Sequence, residues 1–223
     1  MKVLIQNLQK RKGLATQLAE TYNPDVLLVQ EINLNSEFHP FPAHNVSSTT
    51  GYGTAIGSSS SQQYELTDIQ TIESPYAEFG GFIRKKTIMA NINSIRFVSF
   101  HGYNGQPFKN VQKLVAHVNA VLEVQLLLDS SSNNNTSSKQ QPAAPAPALF
   151  AGDFNTWSKE HFEAVQTCME KHGFRHVYSW PYPGREYPLD HAFVRGLKVI
   201  ESHDYSCESD HRGAIVEIQL EDD

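Results

Sequence analysis

The alternation of apolar and polar stretches in the first thirty residues predicts a strand, a helix and a second strand. Residues 2–7 form a short apolar run that ends in polar side chains. Residues 13–21 place Leu14 and Leu18 four positions apart, a spacing typical of one buried helix face. A second apolar run follows at residues 26–30. The pattern therefore predicts a β-α-β unit.

The middle of the chain shows two kinds of pattern. Residues 43–56 and 65–72 alternate polar and apolar positions between Gly and Ser residues, which predicts edge strands and hairpins. Residues 83–92 and 95–100 favour one hairpin that turns between them. Apolar residues then recur at helical spacing, which predicts an amphipathic helix over residues 109–128, packed on a sheet.

Residues 129–148 differ in composition from the rest of the chain, with runs of Ser and Asn followed by Pro and Ala repeats. Such a segment buries too little apolar surface to offset the entropy that is lost when a chain becomes ordered. We therefore predict a disordered surface insertion at 129–148. It should contribute nothing to the core, and its removal should leave folding nearly intact.

Helix and strand patterns continue to alternate after the insertion. Ser158 is predicted to cap a helix that runs to residue 171. Four further strands are predicted, at 176–178, 191–194, 198–202 and 214–220. Strands separated by helices and hairpins favour an α+β fold in which two packed mixed β-sheets are flanked by helices. The strand ends would then converge on one mouth.

The composition fits one domain over residues 1–223. With 39% hydrophobic residues, the chain can bury a sizeable core without disulfides. Its two cysteines, Cys168 and Cys207, match no zinc or redox spacing. We see no signal-peptide pattern and no long uncharged apolar stretch. We therefore expect a cytoplasmic monomer without a membrane span, or a nuclear one if the source is eukaryotic.

The formal net charge of −6 argues against broad, sequence-independent binding to long nucleic acid. Such binding draws on many Lys and Arg contacts with phosphate. The argument is moderate, because several of the acids would face a bound cation. A local basic rim around Arg84, Lys85 and Lys86 also remains compatible with the sequence.

Polar side chains with the chemistry of metal and phosphate sites follow several of the apolar runs. A single Asp after an apolar run is usually a turn or a helix cap. Here, however, acids, amides and histidines form an ordered set along the chain. These groups can hold a hard divalent cation against a phosphate and activate a water molecule. The members of the set are Asn7, Glu31, His101, Asp153, Asn155, Asp190, Asp210 and His211.

This ordered set resembles the endonuclease/exonuclease/phosphatase superfamily, whose members have the DNase I-like fold. The resemblance runs from Asn7 to His211, nearly the whole chain. Its most specific segments read GDFNTWS at 152–158, HGYN at 101–104 and LDHAFVRG at 189–196, and they look most like a bacterial branch. The resemblance implies a four-layer α/β/β/α sandwich. It also implies an enzyme that depends on Mg²⁺, with Mn²⁺ as the alternative.

The resemblance further implies a role for each residue of the set. Glu31 would be the main metal ligand and Asn7 a neutral one, because a carboxylate at the end of a buried strand needs a cation or hydrogen bonds. Asp210 would reach the metal directly or through water. Asp153 would orient or deprotonate the attacking water, and the Asn155 amide would donate to a phosphoryl oxygen.

Two histidines would bracket the phosphate, either by donating to its oxygens as imidazolium or by moving protons as neutral imidazole. They are His101 and His211, and Asp190 would fix the tautomer of His211. Asp153 and Asn155 lie two residues apart. In an extended strand end, both of their side chains would point to the same side.

The assignments around this set are looser. Asn104 and Lys85 would contact the substrate. Alternatively, Asn104 would only form a turn, and Arg84 rather than Lys85 would supply the positive contact. We see no clear equivalent of the Glu that pairs with the first histidine in DNase-type members. Trp157 is expected in the core, and the loop over residues 180–188 at the cleft. The other histidines lack the spacing of metal ligands, and we expect them at the surface: His117, His161, His172, His176, His191 and His203. For His117, a hydrogen-bonded position is the alternative.

The sequence thus predicts a phosphoesterase in which water attacks phosphorus in line. Nucleic acid, either DNA or RNA, is the first-choice substrate, and a small or lipid-derived phosphate is the second. A binding protein that keeps the cleft without turnover is the alternative from another class. Intact Asp153, Asn155 and His211 weigh against that alternative, although fold and site do not choose among substrates.

Overall fold

The computed structural model describes residues 1–33, 43–45, 51–59, 64–104, 110–131 and 145–221. Within these ranges the chain forms twelve strands and three α-helices. The strands are β1 (Lys2–Asn7), β2 (Val26–Asn33), β3 (Ala43–Asn45), β4 (Tyr52–Ser58), β5 (Thr67–Glu73), β6 (Lys86–Ile92), β7 (Ile95–His101), β8 (Ala148–Asp153), β9 (Arg175–Trp180), β10 (Asp190–Arg195), β11 (Leu197–Tyr205) and β12 (Gly213–Leu220). The helices are α1 (Leu14–Tyr22), α2 (Val111–Ser131) and α3 (Lys159–Glu170), and a short 3-10 turn lies at Phe79–Gly81.

The strands form two mixed six-stranded sheets. The first sheet has the order β11-β12-β1-β2-β4-β3, and the second has the order β5-β6-β7-β8-β10-β9. Each sheet contains one parallel pair, β1 with β2 and β7 with β8. A parallel pair needs a crossover connection, which α1 and α2 supply. The predicted β-α-β unit at the start of the chain is therefore confirmed.

The sheets pack face to face and helices cover their outer faces. The core between the sheets contains Ile5 and Leu28 of the first sheet and Phe97 and Leu149 of the second, all fully buried. Helix α1 packs on the outer face of the first sheet, and α2 and α3 pack on that of the second. This arrangement confirms the predicted four-layer α/β/β/α sandwich.

Local sequence signals explain several of the element boundaries. Asn93 and Ser94 both have positive φ, as the tight turn of the β6–β7 hairpin requires. Ser158 caps α3, where its side chain accepts a hydrogen bond from the backbone N–H of His161. The predicted strand region at 43–56 forms β3 and β4, and residues 46–50 lie outside the described ranges.

The predicted bounds of the insertion at 129–148 are wrong at both ends. Asp129 belongs to α2, and Ala148 opens β8, where it is fully buried. The Asp129 carboxylate forms ion pairs with Arg96 at 2.6 Å and with Arg195 at 3.1 Å. Both ends are therefore part of the packed domain. The predicted disorder concerns residues 132–144, which lie outside the described part of the chain.

Helix α2 is the one described helix that is long and apolar enough to cross a membrane by length and composition. Its residues Leu114, Val118, Val121 and Leu122 are buried in the core against the second sheet. The apolar residues of α2 are thus accounted for by its packing, as predicted for a helix that covers a sheet.

Candidate active site

Side-chain alternation along the second sheet brings three of the predicted site residues together. Successive side chains of a strand point to opposite faces, so residues two apart share a face. Phe97 and Ala151 face the core between the sheets, and the same parity carries His101 and Asp153 to that face at the strand ends. In the sheet register, Asp153 lies opposite both His101 and Asp190. The three polar side chains therefore end their strands side by side.

Strand β1 brings a fourth residue to the same place from the other sheet. Ile5 points into the core between the sheets, so Asn7 points to the same side at the strand end. The Asn7 Nδ2 atom donates a hydrogen bond of 3.0 Å to the Asp153 Oδ2 atom. Both residues are buried, with 2% and 3% of their surface exposed. The site thus lies where the two sheets meet at one end of the sandwich.

Glu31 reaches the site through a break in strand alternation. Val29 and Ile32 both pack on the outer side with α1, which strict alternation would forbid for residues three apart. An irregularity in the pairing of β2 with β4 between these two residues accounts for the change, and Glu31 has a φ of 52°. The Glu31 Oε1 atom lies 3.7 Å from the His101 Nε2 atom. The backbone irregularity therefore directs this carboxylate into the site.

Lys85 faces the His101 ring. The Lys85 Nζ atom lies 2.5 Å from the His101 Nε2 atom, and both side chains are buried. An ammonium group can only donate, so the Nε2 atom accepts. Burial, and then the charge of Lys85, hold the pKa of His101 well below its ordinary value. His101 is therefore neutral in this arrangement, which favours the proton-moving role over the imidazolium role for this ring.

His211 has the opposite electrostatic environment. Its Nδ1 atom lies 2.8 Å from the Asp190 Oδ2 atom, and its Nε2 atom lies 3.9 Å from the Asp153 Oδ2 atom. Burial alone would lower the pKa of His211, but the carboxylates of Asp190, Asp153 and Asp210 raise it above the ordinary value. His211 is therefore the imidazolium of the site, and it presents its Nε2–H toward Asp153.

Asn155 reaches the site by a turn rather than by strand alternation. Strand β8 ends at Asp153, and Asn155 has a φ of 57°, so the extended geometry that we expected for this pair is wrong. The Asp153 Oδ1 atom accepts from the Asn155 backbone N–H at 2.9 Å. The Asn155 side-chain amide donates to the Gly102 carbonyl at 3.1 Å. The turn thus holds Asp153 with its backbone and keeps the Asn155 amide beside the loop after His101.

Two predicted residues lie at the rim rather than in the centre. Asp210 is exposed, and its Oδ2 atom accepts a hydrogen bond of 3.2 Å from the Tyr182 hydroxyl. Asn104 accepts at Oδ1 from the Trp157 Nε1–H at 2.9 Å and donates its backbone N–H to Glu78. In this arrangement Asn104 orients the rim around the site.

The predictions for the two tryptophans are both wrong. Trp180 is fully buried between the sheets as the last residue of β9. Trp157 is half-buried at the rim. The reason lies in the strand pairing: Trp180 is paired with Asp190 in the sheet, and its side chain points into the core between the sheets. The loop that begins after Trp180 still reaches the site, because the Tyr182 ring lies edge-on to the His211 ring at 4.7 Å.

Two histidines do not lie at the surface: His191, which is hydrogen-bonded to Thr156 and Ser179, and His117. His191 is fully buried, since it alternates with Asp190 on β10 and points to the α3 side, where Phe162 lies 4.8 Å from its ring. His117 is fully buried on α2, and among the described residues neither of its ring nitrogens has a hydrogen-bond partner. Both positions follow from tertiary packing, which the spacing of histidines does not report.

Two residues of the site were missed by sequence reasoning. Lys10 lies 3.9 Å from the Glu31 Oε2 atom, and its ammonium group lies 4.1 Å from the centre of the Tyr52 ring. Glu78 is buried and accepts from the loop that follows His101. Lys10 and Glu78 stand outside any recognisable motif, so only the folded chain reveals them. Arg84 is exposed and donates to backbone carbonyls, so of these two neighbours it is Lys85 that reaches the site.

The donor atoms at the centre suit a hard divalent cation. Burial, together with the nearby Asp153 carboxylate, raises the pKa of Glu31, against the opposing effect of Lys85 and Lys10. A cation between the two carboxylates would relieve this repulsion. Within the described residues, no three His, Cys, Asp or Glu side chains form a metal-binding group by themselves.

The two stacked mixed sheets, with acids, amides and histidines gathered at one end, define a protein of the DNase I-like class. The sequence model of the Endonuclease/Exonuclease/phosphatase family matches residues 6–211. The chain belongs to this family. The predicted resemblance is therefore confirmed over nearly its whole length.

Relatives and solved structures agree with this placement. A UPF0294 protein of Vibrio vulnificus (strain YJ016) is 37% identical over 84 residues, a match that spans 35% of this chain and 30% of that protein. The structure of D. rerio TDP2 complexed with single strand DNA product has a TM-score of 0.66 and 16% identity, covering 99% of both chains. ANGEL2, a 2',3'-cyclic phosphatase, has a TM-score of 0.70 and 13% identity, covering 98% of this chain and 95% of that chain. At these identities the two structures show the shared fold.

Proposed function

We propose that the protein is a divalent-cation-dependent phosphoesterase that hydrolyses phosphodiester or phosphomonoester bonds, with nucleic acid as the first-choice substrate. One observation carries this proposal. The Asp153 Oδ2 atom accepts from Asn7 at 3.0 Å, and it lies 3.6 Å from His101 Nε2 and 3.9 Å from His211 Nε2. A carboxylate that lies beside an amide, a neutral histidine and a protonated histidine can orient a water and accept its proton.

Glu31 and Asn7 would hold the cation, and Asp210 would do so only through water, since it lies at the rim. When bound, the cation would neutralise charge on the phosphoryl oxygens. Lys85 adds a fixed positive charge beside Glu31 and His101. These groups prepare a site of positive potential for an anionic substrate.

The protein side chains divide the proton chemistry among them. Asp153 would orient and deprotonate the water that attacks phosphorus in line, while the bond from phosphorus to the leaving ester oxygen breaks and that oxygen takes up a proton from solvent. His211, held by Asp190 and protonated, would donate its Nε2–H to a phosphoryl oxygen as negative charge grows in the transition state. Neutral His101, hydrogen-bonded to Lys85, would be the ring that moves protons beside Asp153. Asn155 would donate its amide to a phosphoryl oxygen after leaving the Gly102 carbonyl.

Nucleic acid is preferred because D. rerio TDP2, which shares the fold, was crystallised with a single strand DNA product. A small phosphate ester is the second candidate. The net charge of −6 favours it, because binding to long nucleic acid is driven by many cationic contacts. ANGEL2, a 2',3'-cyclic phosphatase with the same fold, was crystallised in complex with adenosine-2',3'-vanadate.

The test is a hydrolysis assay on single-stranded and duplex oligonucleotides, an aryl phosphodiester and a 2′,3′-cyclic nucleotide, with Mg²⁺, Mn²⁺ or EDTA. Asp153→Asn should remove turnover, and His203→Ala, an exposed histidine far from the site chemistry, should not. Turnover that survives EDTA, or that Asp153→Asn leaves intact, would refute the proposal.

A further inference from the structure

The loop between β9 and β10 carries an exposed cation next to the proposed active site. The guanidinium of Arg185 lies 3.9 Å from the centre of the Trp157 ring and 5.9 Å from that of the Tyr182 ring. The short distance to Trp157 is that of a cation–π contact. Arg185 itself is exposed, so the guanidinium is held in one place at the surface.

The guanidinium of Arg185 has no acidic partner within the described part of the chain. Among the residues that the structure describes, its side chain forms no ion pair and no hydrogen bond, and only its backbone N–H donates, to the Tyr182 carbonyl at 3.2 Å. A guanidinium that stacks on an aromatic ring keeps its N–H groups free at the edge. Planar N–H pairs of this kind suit the oxygens of a phosphate. The Arg185 guanidinium therefore has N–H groups available for an oxygen acceptor such as a phosphate.

The platform under Arg185 is fixed to the active site on two sides. The Trp157 Nε1–H donates to Asn104, three residues after His101 in the chain. On the other side, the Tyr182 hydroxyl donates to Asp210 and the Tyr182 ring contacts His211. These contacts run from one side of the Asp153 cluster to the other, with Arg185 at their outer edge. A substrate whose reacting phosphate lies at His211 would extend toward Arg185.

A role in stability alone explains this arrangement poorly. An exposed cation–π pair contributes only modestly to folding, and an unpaired surface guanidinium needs no fixed position for solubility. We propose that Arg185, stacked on Trp157, forms a subsite for a second, non-scissile phosphate of the substrate. This subsite rests on the proposed phosphoesterase function and refines its substrate class. The second phosphate would belong to a neighbouring nucleotide of a strand or to a small bisphosphate.

The decisive test compares substrates with one and with two phosphates. The probes are bis(p-nitrophenyl) phosphate, a thymidine trinucleotide, the same trinucleotide with one neutral methylphosphonate linkage, and a nucleoside 3′,5′-bisphosphate. Arg185→Ala should raise KM for the unmodified trinucleotide about tenfold to a hundredfold, the value of a hydrogen bond to a charged group. It should leave the aryl diester and the methylphosphonate trinucleotide within about twofold of the wild type, since neither offers a second charge.

Matched variants separate the subsite from general charge and folding effects. Lys198→Ala removes the same unit charge from an exposed position at the start of β11 and should change none of the rates. Trp157→Leu should reproduce the effect of Arg185→Ala, and Trp157→Tyr should restore part of it, because a phenol ring can still hold the guanidinium. A dependence on Arg185 that also appears with the bisphosphate would identify a small second phosphate as sufficient. A dependence confined to the trinucleotide would identify a strand.

Equal losses on the one-phosphate and two-phosphate probes, or no loss on either, would overturn the subsite. Binding of a labelled trinucleotide, measured by fluorescence anisotropy in EDTA, distinguishes this failure from failure of the proposed function. Binding that weakens in Arg185→Ala without any hydrolysis by the wild type would retain the subsite and refute the phosphoesterase. Hydrolysis by the wild type with Arg185-independent binding would do the reverse.

Discussion

The His211 Nδ1 atom lies 2.8 Å from the Asp190 Oδ2 atom, and both side chains are almost completely buried. This contact joins the loop before β12 in the first sheet to the end of β10 in the second. It fixes the His211 tautomer, so that the Nε2–H points at Asp153. The proposed hydrogen-bond donor to the phosphoryl oxygen is therefore positioned by a carboxylate that lies behind its ring.

Asp190→Asn tests this relationship. The amide keeps the size of the side chain but removes the charge that favours protonated His211, so kcat should fall about 10²- to 10³-fold, the effect of losing one hydrogen-bond donor to the transition state. KM should change little, because Asp190 lies behind the ring. Steady-state kinetics on the best oligonucleotide would measure both constants. A variant with unchanged kcat would separate Asp190 from catalysis, and Asp204→Asn provides a control at a half-buried carboxylate outside the site.

Glu31→Gln tests the cation site. Because Glu31 supplies a charged oxygen to the proposed ion, the variant should lose Mg²⁺-dependent turnover at concentrations that saturate the wild type. Ligand binding raises the melting temperature of a folded protein. Saturating Mg²⁺ should therefore stabilise the wild type and leave Glu31→Gln unshifted in thermal unfolding. Equal shifts for both proteins would place the cation elsewhere, and Glu20→Gln, an exposed glutamate on α1, is the control.

The layers of the fold could be predicted because each strand and helix carries its own periodicity. The joint position of His101, Asp153 and Asp190 was also predictable in outline, since polar residues that end neighbouring strands meet at one edge. The direction of Glu31 was not. It depends on a positive φ and an irregular pairing of β2 with β4, and neither leaves a mark in the apolar pattern.

Charge state and burial of individual side chains were the least predictable features. His101 is neutral because its ring is buried and because Lys85, which precedes another strand, reaches it; both lower its pKa. The polar composition of the residues that follow Asp129 predicted that it belongs to a surface insertion. In the structure, Asp129 instead forms ion pairs with two arginines from different strands. Both properties arise from partners far away in the chain. Local composition therefore predicts the wrong environment for such residues.

The ion pairs of Asp129 predict a loss of stability when the charge of this residue is removed. Arg96 and Arg195 are buried around this carboxylate, and Arg195 also donates to the Ala146 carbonyl at 3.0 Å. Asp129→Asn would leave two buried cations with less compensation and should lower the free energy of unfolding by about 3 kcal/mol. Urea denaturation would measure the change, with the exposed Glu123→Gln on the same helix as the control.

The same contacts distinguish two deletions. Removal of residues 132–144, replaced by a short Gly/Ser linker, should keep the melting temperature within a few degrees of the wild type. Removal of 129–148 should abolish cooperative unfolding, because it deletes the Asp129 ion pairs and the first residue of β8. If both deletions fold equally well, the ion pairs do not hold the ends of the insertion.

His117 predicts a pH-dependent loss of stability. Its ring is completely buried, and burial, with a smaller effect of Lys85, lowers the pKa of His117 from 6.5 to about 3. The unfolded chain therefore takes up a proton near pH 6.5, and the folded chain does so only near pH 3. Stability from the neutral ring is complete above pH 6.5 and falls as the pH decreases toward 3, by about 1.4 kcal/mol per pH unit.

His117→Leu should remove this contribution while it keeps an apolar side chain of similar size against Phe100. At pH 7 the variant should be at least as stable as the wild type. The substitution removes both ring nitrogens of His117, which are buried and have no hydrogen-bond partner among the described residues. Between pH 6 and 4 it should lose stability less steeply than the wild type in urea denaturation. His203→Leu, at an exposed position, should follow the wild-type slope. Parallel slopes for His117→Leu and the wild type would mean that the ring finds a proton-sharing partner in the folded protein.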